Sequence, residues 1–150
     1  MDLSTFGAIM GFAAEIVRGA GETYQVLSEK ARDPVLKATL KELAVEAAKN
    51  QSLMEKTRRE NVTEMILEPI TGLHEEDYEV DLKECGQAED TDLLKIALLL
   101  EERGNRFFRD VSVKVPLPEV ARIFRKAGQK KEENLTKLQG LGLSQTLNRG

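Results

Sequence analysis

Tryptophan is absent, cysteine and histidine occur once each, and proline appears only four times in 150 residues. Each scarcity excludes something. The lone Cys85 cannot close an intramolecular disulfide, and with His74 as the only imidazole there is no Cys or His set for a zinc cluster or a redox pair. One histidine also leaves no Ser/His/Asp constellation, and neither a Gly-rich phosphate loop nor a nucleophile elbow is found. Aromatic residues make up 5%, so the Leu-, Ala-, Glu- and Lys-rich remainder favours helix over pleated sheet. Long apolar runs are missing too. The opening MDLSTFGAIMGFAAEIVRGAGE has no basic lead-in and is broken by Glu15 and Arg18 well short of a membrane span. A soluble, cytoplasmic, single-domain all-α protein is expected, with no membrane partner.

The net charge of -4 is unevenly spread. Residues 60–90 carry 11 acidic side chains against Lys83 alone, which leaves 21 basic against 15 acidic residues elsewhere. That mild excess is no nucleic-acid footprint. Within the acidic stretch, HEEDYEVD offers oxygen ligands, but its spacing matches no calcium loop and it reads as solvated charge. Asn61-Val62-Thr63 fits a glycosylation triplet, with nothing else to suggest secretion.

Apolar periodicity predicts four helices. The first, about 3–32, carries the stripe Phe6, Met10, Ala13, Val17, Ala20, Tyr24, Leu27 and Ala31, with Ser4 as its cap and Asp33-Pro34 as its stop. The second, about 34–59, carries Leu36, Leu40, Leu43, Ala47, Asn50 and Met54, with Pro34 suited to a first helical turn. Residues 60–90 break the pattern and form a crossover. The third helix, about 91–113, carries Leu94, Ala97, Glu101, Gly104, Phe108 and Val111, with Asp90 or Thr91 as cap. The fourth, about 117–139, carries Val120, Phe124, Ala127, Lys131, Asn134 and Leu138, and a tail over 140–150 is expected to fray. Sliding the sequence on itself by 84 residues places Pro34 on Pro118, Tyr24 on Phe108, Leu40 on Phe124 and Asn50 on Asn134. The chain therefore reads as two αα-hairpins joined by one long connection, able to bury their stripes against each other as a four-helix bundle.

In AAEIVRGAGETYQVLSEKARDP with LKELAVEAAKNQSLMEK, and in LLLEERGNRFFRD with PEVARIFRKAGQKKEENLTKL, the sequence resembles the rubrerythrin-like branch of the ferritin-like superfamily over about residues 6–139. The resemblance implies a ferritin-like four-helix bundle in which each hairpin supplies a Glu seven residues before an aromatic and a Glu-x-x-His, together holding two iron ions. Carried over by position, those ligands become Val17 and Glu101 on the first and third helices, Ala47 with Asn50 on the second, and Lys131 with Asn134 on the fourth. One of six is kept, so the activity does not transfer with the fold.

A buried Glu101 without metal needs another cation. The sharpest reading is a Glu101–Lys131 ion pair with hydrogen bonds from Asn50 and Asn134. The alternative has Lys131 snorkelling to the surface while Glu101 pairs with Arg125 or Lys130. Tyr24 reads as a core tyrosine with a satisfied hydroxyl. Three functions stay open. The favoured one is a non-catalytic bundle with a vestigial diiron site and no cofactor, acting as a homo-oligomer, preferably a dimer, or as a subunit of another protein. Ile9, Ile16, Val26, Leu98 and Leu99 are available either for that interface or to widen the core. The second is a diiron oxidoreductase or iron-handling protein that binds iron through shifted carboxylates, Glu15, Glu46, Glu101 and Glu132. The third is a small-molecule carrier using space emptied around Val17, Ala20, Ala47 and Gly104.

Overall fold

The computed structural model describes residues 2–61, 70–82 and 85–149, with side chains described through residue 141. Its long elements are α1 (Phe6–Lys30), α2 (Pro34–Glu60), α3 (Asp90–Lys114) and α4 (Pro118–Arg149), and no strand occurs among the described residues. The internal repeat reappears in the boundaries: Phe6 and Asp90, Lys30 and Lys114, and Pro34 and Pro118 all stand 84 residues apart. Each half is an αα-hairpin with a three-residue connection, and the closest helix packing is α1 on α2 and α3 on α4.

Local chemistry sets the helix ends. Thr5, rather than Ser4, caps α1: its backbone is extended and its side chain accepts from Ala8 N at 3.0 Å. Asp33 is pushed out of helical geometry by the proline that follows, and its carboxylate accepts from Leu36 N at 2.9 Å to cap α2. On α3 the cap is Glu89, with Asp92 accepting from its N–H at 3.2 Å. Asp90 acts at longer range: its two oxygens accept from Arg32 N and Asp33 N, each at 2.9 Å, and tie the first hairpin's turn to the start of α3. The fourth helix does not end at residue 139; its backbone stays helical through Gly140 and Gly142 to Arg149.

The crossover is fastened to one end of the bundle. Leu3 N donates to Leu73 O and Ile70 N to Ser4 O, both at 2.9 Å, and the Asp2 carboxylate meets His74 Nδ1 at 2.7 Å. A 3₁₀ turn, Glu75–Tyr78, inserts the buried Tyr78 ring edge-on against Phe107 with centroids 4.9 Å apart, while its hydroxyl donates to Asp110. Cys85 is a free, half-buried thiol packed with Leu82 against the core. Residues 62–69 and 83–84 of the acidic stretch, and with them Val62 and Thr63 of the glycosylation triplet, lie outside the described residues.

Two apolar clusters fill the interior. The first joins Phe6, Met10, Val17, Met54, Phe108 and Phe124 with the crossover's Tyr78; the second joins Ala20, Tyr24, Leu40, Leu43, Leu94 and Leu138. Every helix passes from one cluster to the other. Ile9 and Ile16 are buried in the first cluster, so they widen the core, whereas Val26 is exposed and Leu98 and Leu99 are half-buried. No helix among the described residues is long and apolar enough to cross a membrane.

Candidate functional site

A polar layer lies where the helices pass between the two clusters. α3 delivers Glu101, which is fully buried, and α4 delivers Lys131 and Asn134 from the same stripe as Phe124 and Leu138. The Lys131 side chain is 5% exposed, so it stays inside instead of snorkelling. Its ammonium lies 3.1 Å from Glu101 and 3.0 Å from Glu46 Oε2 on α2. One cation bridges two carboxylates. Asn134 Nδ2 donates to both Glu46 oxygens, at 3.1 and 2.9 Å, and more weakly to Glu101 Oε2 at 3.4 Å. From α1, Tyr24 Oη donates to Glu101 Oε1 at 2.9 Å. All four helices thus contribute to one hydrogen-bonded cluster.

Several expectations are corrected by this geometry. Glu46, which lies off the apolar stripe of α2 and is absent from the expected Glu101–Lys131 pair, turns inward with 16% of its side chain exposed. Ala47 beside it is small and buried, which leaves room for the longer neighbour to reach the layer. Asn50 is half-buried at the rim and makes no hydrogen bond to Glu101. Lys130, the suggested alternative partner, faces Glu133. Of the shifted carboxylates, Glu15 pairs with Arg18 and Glu132 with Arg109, both on the exposed exterior, so only Glu46 and Glu101 converge. The space around Val17, Ala20, Ala47 and Gly104 amounts to about 10 Å³. The Lys131 stem accounts for the rest, since a Cβ on Gly104 would come within 3.3 Å of Lys131 Cε. That volume is too small for anything beyond a water, which removes the carrier reading at this place.

The electrostatics follow from burial. Two carboxylates share one ammonium, so the cluster itself holds an excess negative charge. Tyr24 answers to it: burial first, then the charge of Glu101, push its phenol well above the ordinary tyrosine value and keep it a neutral donor. Burial lowers the pKa of Arg103, two residues after Glu101 on α3, while Tyr24 and Glu101 act on it in the opposite direction. On the other side, a groove of about 730 Å³ between α2 and α4 leads to Glu46 and Asn134 past Lys41, Lys49, Lys130 and Lys137.

A metal centre does not fit these residues. The ammonium occupies the point where the two carboxylates converge, Val17 and Ala47 offer no donor atoms, and no group of three or more His, Cys, Asp or Glu suited to a metal exists among the described residues. What the arrangement can do is hold charge and geometry: it locks four helices together through a buried, satisfied network.

A scan against protein-family models gives no match, and neither does a search of curated proteins. Among solved structures, a hypothetical protein from Pyrococcus furiosus is 22% identical over 89% of this chain and 85% of its own, with a TM-score of 0.67. That likeness is one of fold alone; among the described residues this chain has four α-helices and no strand.

Proposed function

We propose that the chain is a ferritin-like protein, akin to the rubrerythrin-like branch, in which an internal ion cluster has replaced a diiron centre, and that it works without catalysis as a homodimer or as a partner subunit. The observation that carries this reading is the ammonium of Lys131 at 3.0 and 3.1 Å from two carboxylates, in the layer where the resemblance sets the metal ligands. A cation is still supplied between carboxylates, but by the chain itself. Exposed Val26, Val35 and Val45 give the first hairpin apolar points for a partner.

The test is total metal content after expression in iron- and manganese-supplemented medium, with Glu101→Ala as control. Less than about a tenth of a metal per chain agrees with the proposal, and near-stoichiometric metal that vanishes in the variant overturns it. Light scattering of the purified chain reads the oligomeric state.

A further inference from the structure

The groove between α2 and α4 ends on polar atoms that the fold leaves open. Asn134 is only 7% exposed, and its Nδ2 faces Glu46 and Glu101. That orientation turns Oδ1 of the same amide away from the cluster, and no donor among the described residues reaches it. Nor is it sealed in. Among the described residues the one fully buried side-chain polar atom without a partner is Arg103 Nε, so Asn134 Oδ1 opens to the groove that Asn134 lines. Glu46 beside it accepts one bond on Oε1 and two on Oε2, and a carboxylate has about four lone-pair sites, so its exposed edge can take another donor. Asn50, the repeat counterpart of Asn134 on α2, also lines the groove, and its amide makes no side-chain hydrogen bond among the described residues.

Floor and rim carry opposite charge. At the floor, Glu46 and Glu101 share the single ammonium of Lys131, which leaves one negative charge in excess. At the rim, Lys41, Lys49, Lys130 and Lys137 face only Glu42 and Glu133. A lone cation is repelled at the mouth and a lone anion at the floor, whereas a zwitterion with its cation inward suits both. The two helices run antiparallel here, since Glu42 pairs with Lys137 and Glu46 with Asn134. Lys49 and Lys130 therefore stand at one end of the groove, about one turn from Glu46 and Asn134, while the Glu42–Lys137 pair, at 2.8 Å, closes the other end beside Leu43. One turn of helix, about 5.4 Å, is a distance that an α-ammonium and an α-carboxylate bridge with a hydrogen bond at each end. The groove's volume of about 730 Å³ is in the range of small-molecule sites.

We propose that this groove binds a free α-amino acid with an apolar side chain. The ammonium donates to Glu46 and to Asn134 Oδ1, the carboxylate accepts from Lys49, Lys130 and the Asn50 amide, and the side chain points towards Leu43. This goes beyond the structural role proposed for the polar layer. It needs the ion cluster in place, but not its descent from a diiron centre.

The experiment uses the full chain, with ¹⁵N-labelled side-chain amides and ¹³C-labelled Leu and Val methyls, titrated separately with L-leucine, with leucinamide and with 4-methylpentanoate. Saturable shifts at Asn50, Asn134 and Leu43, with leucine bound at least about tenfold more tightly than either analogue, support the site. Lys49→Met combined with Lys130→Met, both exposed and outside the cluster, should remove the preference over leucinamide. Glu46→Gln should remove the preference over 4-methylpentanoate. If Glu46→Gln does not fold, the analogue ratios in the wild type and in the double Met variant decide. Absence of saturable shifts at millimolar leucine would mean that the groove holds water only. Leucinamide within tenfold of leucine would make it an amine site, such as a peptide N-terminus would fill, and 4-methylpentanoate within tenfold an anion site. Each of these three results overturns the proposal. Metal content of the same sample keeps the two readings apart: metal-free protein that ignores leucine sinks this inference alone, whereas a metal-loaded chain sinks the reading of the layer.

Discussion

Removing the amine of Lys131 alone should harm the protein far more than replacing it together with Glu101 and the Tyr24 hydroxyl. Lys131→Ala leaves Glu101 fully buried, facing Glu46, with Asn134 and Tyr24 as the remaining donors. Breaking a buried pair in this way costs roughly 3–5 kcal/mol, because one charge is left desolvated without compensation. Here one ammonium serves two carboxylates, which pushes towards the upper end, but Glu46 can swing into the adjoining groove and recover water, which pushes back. For a chain of this length, that loss lowers Tm by roughly 6–20 °C. The control is the triple variant Tyr24→Phe, Glu101→Leu, Lys131→Met. Tyrosine belongs in it because Tyr24 is fully buried, and its hydroxyl would otherwise lose its acceptor when Glu101 goes. The triple variant puts apolar volume where charges stood and frees Glu46 to face solvent, so its loss should stay below about 2 kcal/mol. Urea denaturation followed at 222 nm reads both. Equal losses for Lys131→Ala and the triple variant would refute the reasoning, since they would show that the site tolerates an orphaned carboxylate as easily as a filled apolar layer.

Other consequences can be checked with the same assay. Tyr24 keeps its proton in the fold while the unfolded chain ionises near pH 10, so its contribution is complete below about pH 10 and is lost as the pH rises further; the fall in stability between pH 9 and 11 should be shallower in Tyr24→Phe than in the wild type. Gly21→Ala should destabilise by about 1–3 kcal/mol, because its Cβ would stand 3.0 Å from Ala47 Cβ where two helices cross and neither side chain can turn away. Gly19→Ala, with nothing within 4 Å of the added methyl, should instead stabilise by roughly 0.5–1 kcal/mol. Asp90→Ala should cost about 1–3 kcal/mol, since two backbone N–H groups at the first hairpin's turn lose a charged acceptor together.

How far the molecule could be read in advance depended on whether a residue took part in a repeat. Helix phase was legible because every stripe position from Val120 to Leu138 is buried, including the polar Lys131 and Asn134. The Glu101–Lys131 pair followed from that phase. Glu46 did not, since it lies about 100° around the helix from Ala47 and only its length, beside a small neighbour, brings it inside. The spacing of Glu46 and Asn50, four residues and hence one face, was the available signal. Arg103 gave no signal at all: a charged residue between Glu102 and Gly104 has nothing in its pattern to show that its guanidinium lies beneath Ile16. The caps moved by a residue at α1 and α3 for the ordinary reason that several neighbouring side chains can serve and packing chooses.

The polar layer also tells the two halves of a duplicated sequence apart. Two hairpins of matched length and matched apolar stripes could pair with copies of themselves as readily as with each other. The cluster breaks that equivalence, because the first hairpin brings Glu46 and Tyr24 while the second brings Glu101, Lys131 and Asn134. Two first hairpins would set Glu46 against Glu46 with no ammonium between them, and two second hairpins would lack the Tyr24 hydroxyl and the Glu46 carboxylate that complete the network. Only the mixed pairing satisfies every group, so the layer acts as a lock and key between first and second hairpins and disfavours the pairing of like hairpins from neighbouring molecules.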